Sequence, residues 1–194
     1  MHINIFLFND FETLDAFGPV EVLGRVDSYQ LHYCSLPGGL VTSRQQVPVV
    51  TVPVSQVDQD GVLLIPGGQG TRPLVSDEQA ISALKNLAAK SAYCLSVCTG
   101  SALLAKTGLL SGRVATSNKK AWPWVTSVDQ AVLWKRQARW CVDGKFYTSS
   151  GVSAGMDMTL GFIADQHGMN KANDIAQHIE YVWNANPDND PFAG

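Results

Sequence analysis

The sequence predicts an α/β sandwich, a mainly parallel sheet with helices on both faces. Three observations carry that expectation. Unbroken or nearly unbroken apolar runs such as INIFLF and VLLI recur, as strands buried on both faces require. Segments with helical spacing fall between them, and glycine-rich turns mark the changeovers. The chain has 194 residues, 45% of them hydrophobic, which suits one domain with a full core.

The elements follow in order. Residues 3–8 read as a first buried strand, and 14–26 carry helical spacing through Val20, Leu23 and Val26. YQLHYCSL (29–36) is a second strand. Residues 38–57 are rich in β-branched residues, with Gly-Gly and two prolines, and predict an edge hairpin or irregular excursion. GVLLIPGGQG (61–70) is a strand ending in a glycine turn. Residues 77–90 form an amphipathic helix through Ile81, Leu84, Leu87 and Ala88. A strand over 92–97 runs directly into a small-residue helix. GRVATSN (112–118) reads as a short strand, KKAWPWV as a short helix broken near Pro123, and 138–151 as a hairpin turning at Asp143-Gly144. Two closing helices are expected over 152–168 and 171–183, then a turn-rich surface tail.

Several function classes drop out. A formal net charge of −3 offers no basic face for nucleic acid. No apolar run of about 18 residues could cross a bilayer. The start lacks the basic segment and cleavage site of a signal peptide. Four cysteines, Cys34, Cys94, Cys98 and Cys141, are too few for a disulfide framework and form no metal-type CxxC pair. The expected compartment is the reducing cytoplasm.

In an open α/β sheet, ligands bind outside the carboxyl ends of the strands. Three segments deliver chemistry there: Asp15 after the first strand, PGGQG after the strand at 61–65, and Cys98 after 92–97. SVCTGS parallels the nucleophile elbow, in which a sharp strand-to-helix turn exposes a nucleophile, although Ser96 stands at that pattern's first glycine. A helix start favours thiolate over a buried, inert thiol. The amides of Gly68 and Thr99 could form an oxyanion-type hole beside Cys98, with Gln69 in the same loop. PGGQG is not a dinucleotide loop, because it lacks the G-x-G-x-x-G pattern after a first strand.

Other residues carry blander readings. Cys34, Cys94 and Cys141 sit within strands, and about 13 Å of extended chain separates Cys94 from Cys98, too far for a disulfide. Asp10 and Glu12 complement a helix start. His2, His32, His167 and His178 offer Cys98 no obvious partner. Phe17, Trp122, Trp124 and Trp183 could line an apolar pocket, but core or interface packing ranks first.

Taken together, LDAFGPVEVLGR, VLLIPGGQG, LSVCTGSALLAKTGLLSGRVATSN, TSSGVSAGMDMTLGFIAD and AQHIEYVWNANPDNDPFAG resemble the ThiJ/PfpI superfamily over nearly the whole chain. That superfamily has the class I glutamine amidotransferase-like fold. Within it the sequence is most similar to the isonitrile hydratase branch, and similar also to the sensor domains fused to AraC-type regulators. The resemblance implies a flavodoxin-like sandwich, a homodimer and cofactor-independent chemistry on a small molecule. It maps the nucleophile onto Cys98, its paired acid onto Asp15, and pocket-bordering roles onto Thr99 and Gly68. Thr99 stands where the protease-like branch has histidine, and Asn118 where many relatives have one, so a Cys–His dyad is not expected. The implied reaction adds water to an organic isonitrile. A glyoxalase or deglycase, or a non-catalytic ligand-binding or redox-sensing module, are the alternatives. A carboxylate beside a thiolate repels it, so Asp15 is expected to be protonated when Cys98 is ionised.

Overall fold

A computed structural model describes residues 1–194. The main sheet is built from β1 (His2–Phe6), β2 (Gln30–Ser35), β3 (Gly39–Thr42), β4 (Pro48–Pro53), β5 (Val62–Ile65), β6 (Tyr93–Val97), β9 (Trp140–Asp143) and β10 (Phe146–Ser149). Its order is β3-β4-β2-β1-β5-β6-β10-β9. Every internal pairing is parallel, and the two terminal pairings, β3 with β4 and β9 with β10, are antiparallel. Apolar residues of β1, β5 and β6, such as Ile5, Leu64 and Leu95, are fully buried, because helices cover both faces. This is the expected flavodoxin-like sandwich.

Seven helices surround the sheet: α1 (Thr13–Leu23), α2 (Thr71–Leu74), α3 (Glu78–Lys90), α4 (Gly100–Lys106), α5 (Trp122–Val128), α6 (Ala154–His167) and α7 (Met169–His178). α1 packs on α6 and α6 on α7, while α3 and α5 pack on α4. Asp77 caps α3, its Oδ1 accepting the Ala80 N–H at 3.0 Å. The predicted edge excursion is the β3–β4 hairpin, and the predicted turn at Gly144 has the left-handed φ of +58° that glycine tolerates.

Three expectations are corrected. The strand over 112–118 shrinks to β7 (Val114–Ala115), which pairs with β8 (Leu133–Trp134) in a separate two-stranded sheet. The second closing helix stops at His178 instead of running to 183. Glu180 turns left-handed at φ +52°, and the chain doubles back so that Tyr181 and Trp183 hydrogen-bond Asp157. The tail does not lie wholly on the surface. Asp190 and Ala193 are buried, and Asp190 joins Lys119, Arg139 and Ser150. Charges from distant stretches draw it in.

Candidate active site

The sheet order places β1 between β2 and β5, so the chain leaves β1 to opposite sides and opens a crevice at the strands' carboxyl ends. Two loops meet there. The Glu12 N–H donates to the Gly67 carbonyl at 2.9 Å and the Gly70 N–H to the Asp10 carbonyl at 3.1 Å, lacing the loop after β1 to the one after β5. Gly67 and Gly68 permit the close approach. A Cβ on Gly67 would lie 2.8 Å from Asp15 Oδ2 and 2.6 Å from the Thr99 nitrogen. Gly68 has φ +126°, where any side chain is strained.

Cys98 sits between β6 and α4 with φ +57°, the left-handed conformation of an elbow. Such a non-glycine residue stores roughly 1–3 kcal/mol of strain, so its surroundings must fix it. They do: its N–H donates to the carbonyls of Ser149 and Ser150, and its carbonyl accepts the hydroxyls of Ser101 and Ser117 at 3.0 and 2.8 Å. The residue is 6% exposed and borders a cavity of about 450 Å³. Gln69, Thr99, Gly68 and Asn118 line it too.

Asp15 lies in the first turn of α1, fully buried. Its Oδ2 accepts the Gly67 N–H at 2.9 Å, whereas Oδ1 has no hydrogen-bond partner. Burial pushes its carboxyl up to about 7; the Gly67 bond opposes the rise, and the charge of Glu12 adds to it. Cys98 and Asp15 are near enough for each to act on the other's protonation.

The sulfur is not kept ionised by the helix end, contrary to the sequence-based expectation. Burial first, then the Asp15 charge, pushes its thiol far up; the Thr99 N–H and the Asn118 side chain pull it down less strongly. α4 is only seven residues long, too short to outweigh desolvation. The resting pair therefore keeps its thiol proton, and above about pH 7 the two groups share that one proton.

The expected pair of free amides is also modified. The Gly68 N–H donates to Thr99 Oγ1 at 3.0 Å, and Thr71 Oγ1 lies 3.2 Å from the same oxygen. The Thr99 hydroxyl thus ties the glycine loop to the elbow, leaving the Thr99 amide beside the sulfur. Asn118 is held by the Ala121 N–H, which its Oδ1 accepts at 2.9 Å.

The remaining candidates fall elsewhere. His2 pairs with His32, His167 with Tyr29, and His178 with Arg25. Cys34 donates to the Ile5 carbonyl within the sheet and Cys94 to the Ala88 carbonyl of α3, and all four cysteines are free of disulfides. Phe17, on Phe11 and Tyr33, and Trp183 pack against the core, whereas the half-buried Trp122 meets Trp134 at its margin and Trp124 lies outside it. Glu12 stands at the N-cap position of α1 without a side-chain capping bond; it borders the cavity, and its carboxylate accepts from Gln45 at 2.6 Å. Sequence reasoning missed Arg72 and Lys120, which also line the cavity. The cavity is mostly polar, not aromatic.

The model of the DJ-1/PfpI family matches residues 1–165. The chain belongs to the DJ-1/PfpI family. Among relatives of this DJ-1/PfpI protein, the isonitrile hydratase of Pseudomonas putida is 31% identical over 185 residues, covering 94% of this chain and 79% of that protein. The transcriptional regulator CdhR of Pseudomonas aeruginosa is 29% identical over 171 residues, covering 86% of this chain and 50% of the regulator. A ThiJ/PfpI family protein from Pseudomonas syringae superposes with a TM-score of 0.85 at 27% identity, covering 93% of this chain and 74% of that one. No helix of this DJ-1/PfpI protein is long and apolar enough to cross a membrane.

Proposed function

We propose that this protein is a cysteine-dependent hydratase that converts organic isonitriles to N-substituted formamides. The observation that carries the reading is Asp15: a fully buried carboxyl without a cation, one oxygen unpartnered, set against a thiol on a strained elbow. The likeness to the P. putida isonitrile hydratase supports the substrate class.

The reaction needs a proton to move between sulfur, acid and carbon. Asp15 takes the Cys98 thiol proton as the sulfur bonds to the terminal isonitrile carbon, then delivers it to that carbon, giving a thioimidate. The Asp15 carboxylate next takes a proton from water as its oxygen adds to the same carbon. That proton goes to nitrogen, the carbon–sulfur bond breaks, and the second water proton returns the sulfur to a thiol. One water is consumed and one formamide released, with no net redox change.

An alkyl isonitrile assayed for formamide tests this. Cys98→Ala and Asp15→Asn are expected to lose at least about 1,000-fold in kcat. For the wild type, kcat/KM falls as pH drops below about 7, because a protonated Asp15 cannot accept the thiol proton. Full activity in either variant contradicts the mechanism. A second reading, a ligand-binding module without turnover, draws on the likeness to the regulator CdhR. Tight isonitrile binding without formamide release would favour it.

A further inference from the structure

Arg72 follows the glycine loop, on the four-residue α2. Its guanidinium lies over the Trp124 ring, Cζ 3.5 Å from the centroid, so the side chain is held in place without a carboxylate. It takes part in no ion pair of the protein. Its Nη1 is buried and has no hydrogen-bond partner, yet the residue lines the Cys98 cavity. Burial works against its charge, and the nearby Cys98 sulfur works in favour of it. Lys120 lines the same cavity, also without an ion pair. The one carboxylate at this rim, Glu12, accepts from Gln45.

A guanidinium in a cavity wall without an anion partner favours one, and a planar two-oxygen anion matches its fork. Arg72, Lys120 and Cys98 all line this one cavity of about 450 Å³. We propose that the cavity takes substrates bearing a carboxylate, held by Arg72 with Lys120 on the same wall, while Cys98 attacks the isonitrile carbon of the same molecule. This specificity rests on the hydratase reading for the identity of that carbon. The substrate class would then be isocyano carboxylic acids in place of simple alkyl isonitriles. A substrate carboxylate would pair with the accessible side of the half-buried guanidinium and offset the surplus positive charge of the rim.

The test compares two alkylating agents of similar shape, iodoacetate and neutral iodoacetamide, on Cys98 in the intact protein. Their rate ratio is referred to that of a free thiol such as glutathione. In each case a carbon–sulfur bond forms, iodide leaves and the thiol proton is lost, so the ratio reads only the carboxylate's effect. The wild-type ratio is expected to exceed the free-thiol ratio by about tenfold or more. Arg72→Gln is expected to return it to the free-thiol value, and Lys120→Gln, at an exposed position, to lower it in part. Iodoacetamide is the reference within each variant, so a general loss of structure does not imitate the effect. A wild-type ratio at or below that of glutathione, or one unchanged in Arg72→Gln, overturns the assignment and leaves the hydratase reading intact. A sulfur that reacts with neither reagent overturns both. Turnover supplies the second arm: isocyanoacetate is expected to have a KM about tenfold below that of its methyl ester, with the gap closing in Arg72→Gln. Equal KM values with sustained turnover contradict the carboxylate site alone.

Discussion

Asp15 and Asp157 are both fully buried carboxylates on helices, and the protein treats them in opposite ways. Asp157 accepts the Arg139 Nε at 2.6 Å, and its other oxygen accepts the Tyr181 hydroxyl and the Asn184 N–H, both at 3.0 Å. Arg139 also reaches Asp190, which accepts the Ser150 hydroxyl and lies 3.6 Å from the Lys119 ammonium. Asp15 has one backbone donor and no cation, with the Cys98 thiol nearby. The first network is saturated and closes the tail over the fold. The second is deliberately short of partners, and its acid is therefore held near neutrality. Burial alone does not mark a site; burial without a counterion beside a nucleophile does.

The two regions also touch. Ser150, whose hydroxyl donates to Asp190, accepts the Cys98 N–H at its carbonyl, and Val152, left-handed at φ +42°, turns its backbone toward Asp15. The ionic network thus buttresses the loop that fixes the elbow.

Breaking the saturated side should cost most. Arg139→Ala leaves Asp157 and Asp190 buried without their shared cation, and urea unfolding is expected to show a loss of about 3–5 kcal/mol. A loss under 1 kcal/mol would mean that the network is not the structural counterpart of the Asp15 site. On the other side, Thr99→Val removes the acceptor of the Gly68 N–H and the Thr71 hydroxyl contact. About 1–3 kcal/mol should go with it, along with ordered packing of the glycine loop in amide exchange. Smallest is Gly151→Ala, whose Cβ would sit 2.4 Å from Asn118 Nδ2. The flexible amide end can give way, so stability should fall by at most about 1 kcal/mol while Cys98 alkylation slows, since Asn118 no longer faces the sulfur. Alkylation at the wild-type rate would remove Asn118 from the account.

The contrast also explains what was legible in the sequence. The Cys98 elbow and the PGGQG turn are local, written in strand character giving way to small residues, and Asp15 falls at the same sheet end. The saturated network was not legible. Lys119, Arg139, Asp157 and Asp190 come from four separated stretches, and the turn-rich tail has no periodicity to announce that Asp190 folds inward. Arg72 was missed for a related reason: its partner, Trp124, lies on α5, and a four-residue helix carries no amphipathic signal. Burial of the sulfur was misjudged because a helix end is visible in sequence and the desolvation of a sheet's rim is not.

Stability against pH, compared between the wild type and Asp15→Asn, tests the central claim most directly. Asp15 titrates at about 7 when folded against an ordinary 3.8, so the folded state holds its proton where the unfolded chain has released it. The sign follows: the wild-type unfolding free energy, relative to that of the variant, should fall as pH rises from about 4 to about 7 and level off above. A difference that stays flat, or rises, across that window would contradict the claim that Asp15 is a buried acid without a counterion.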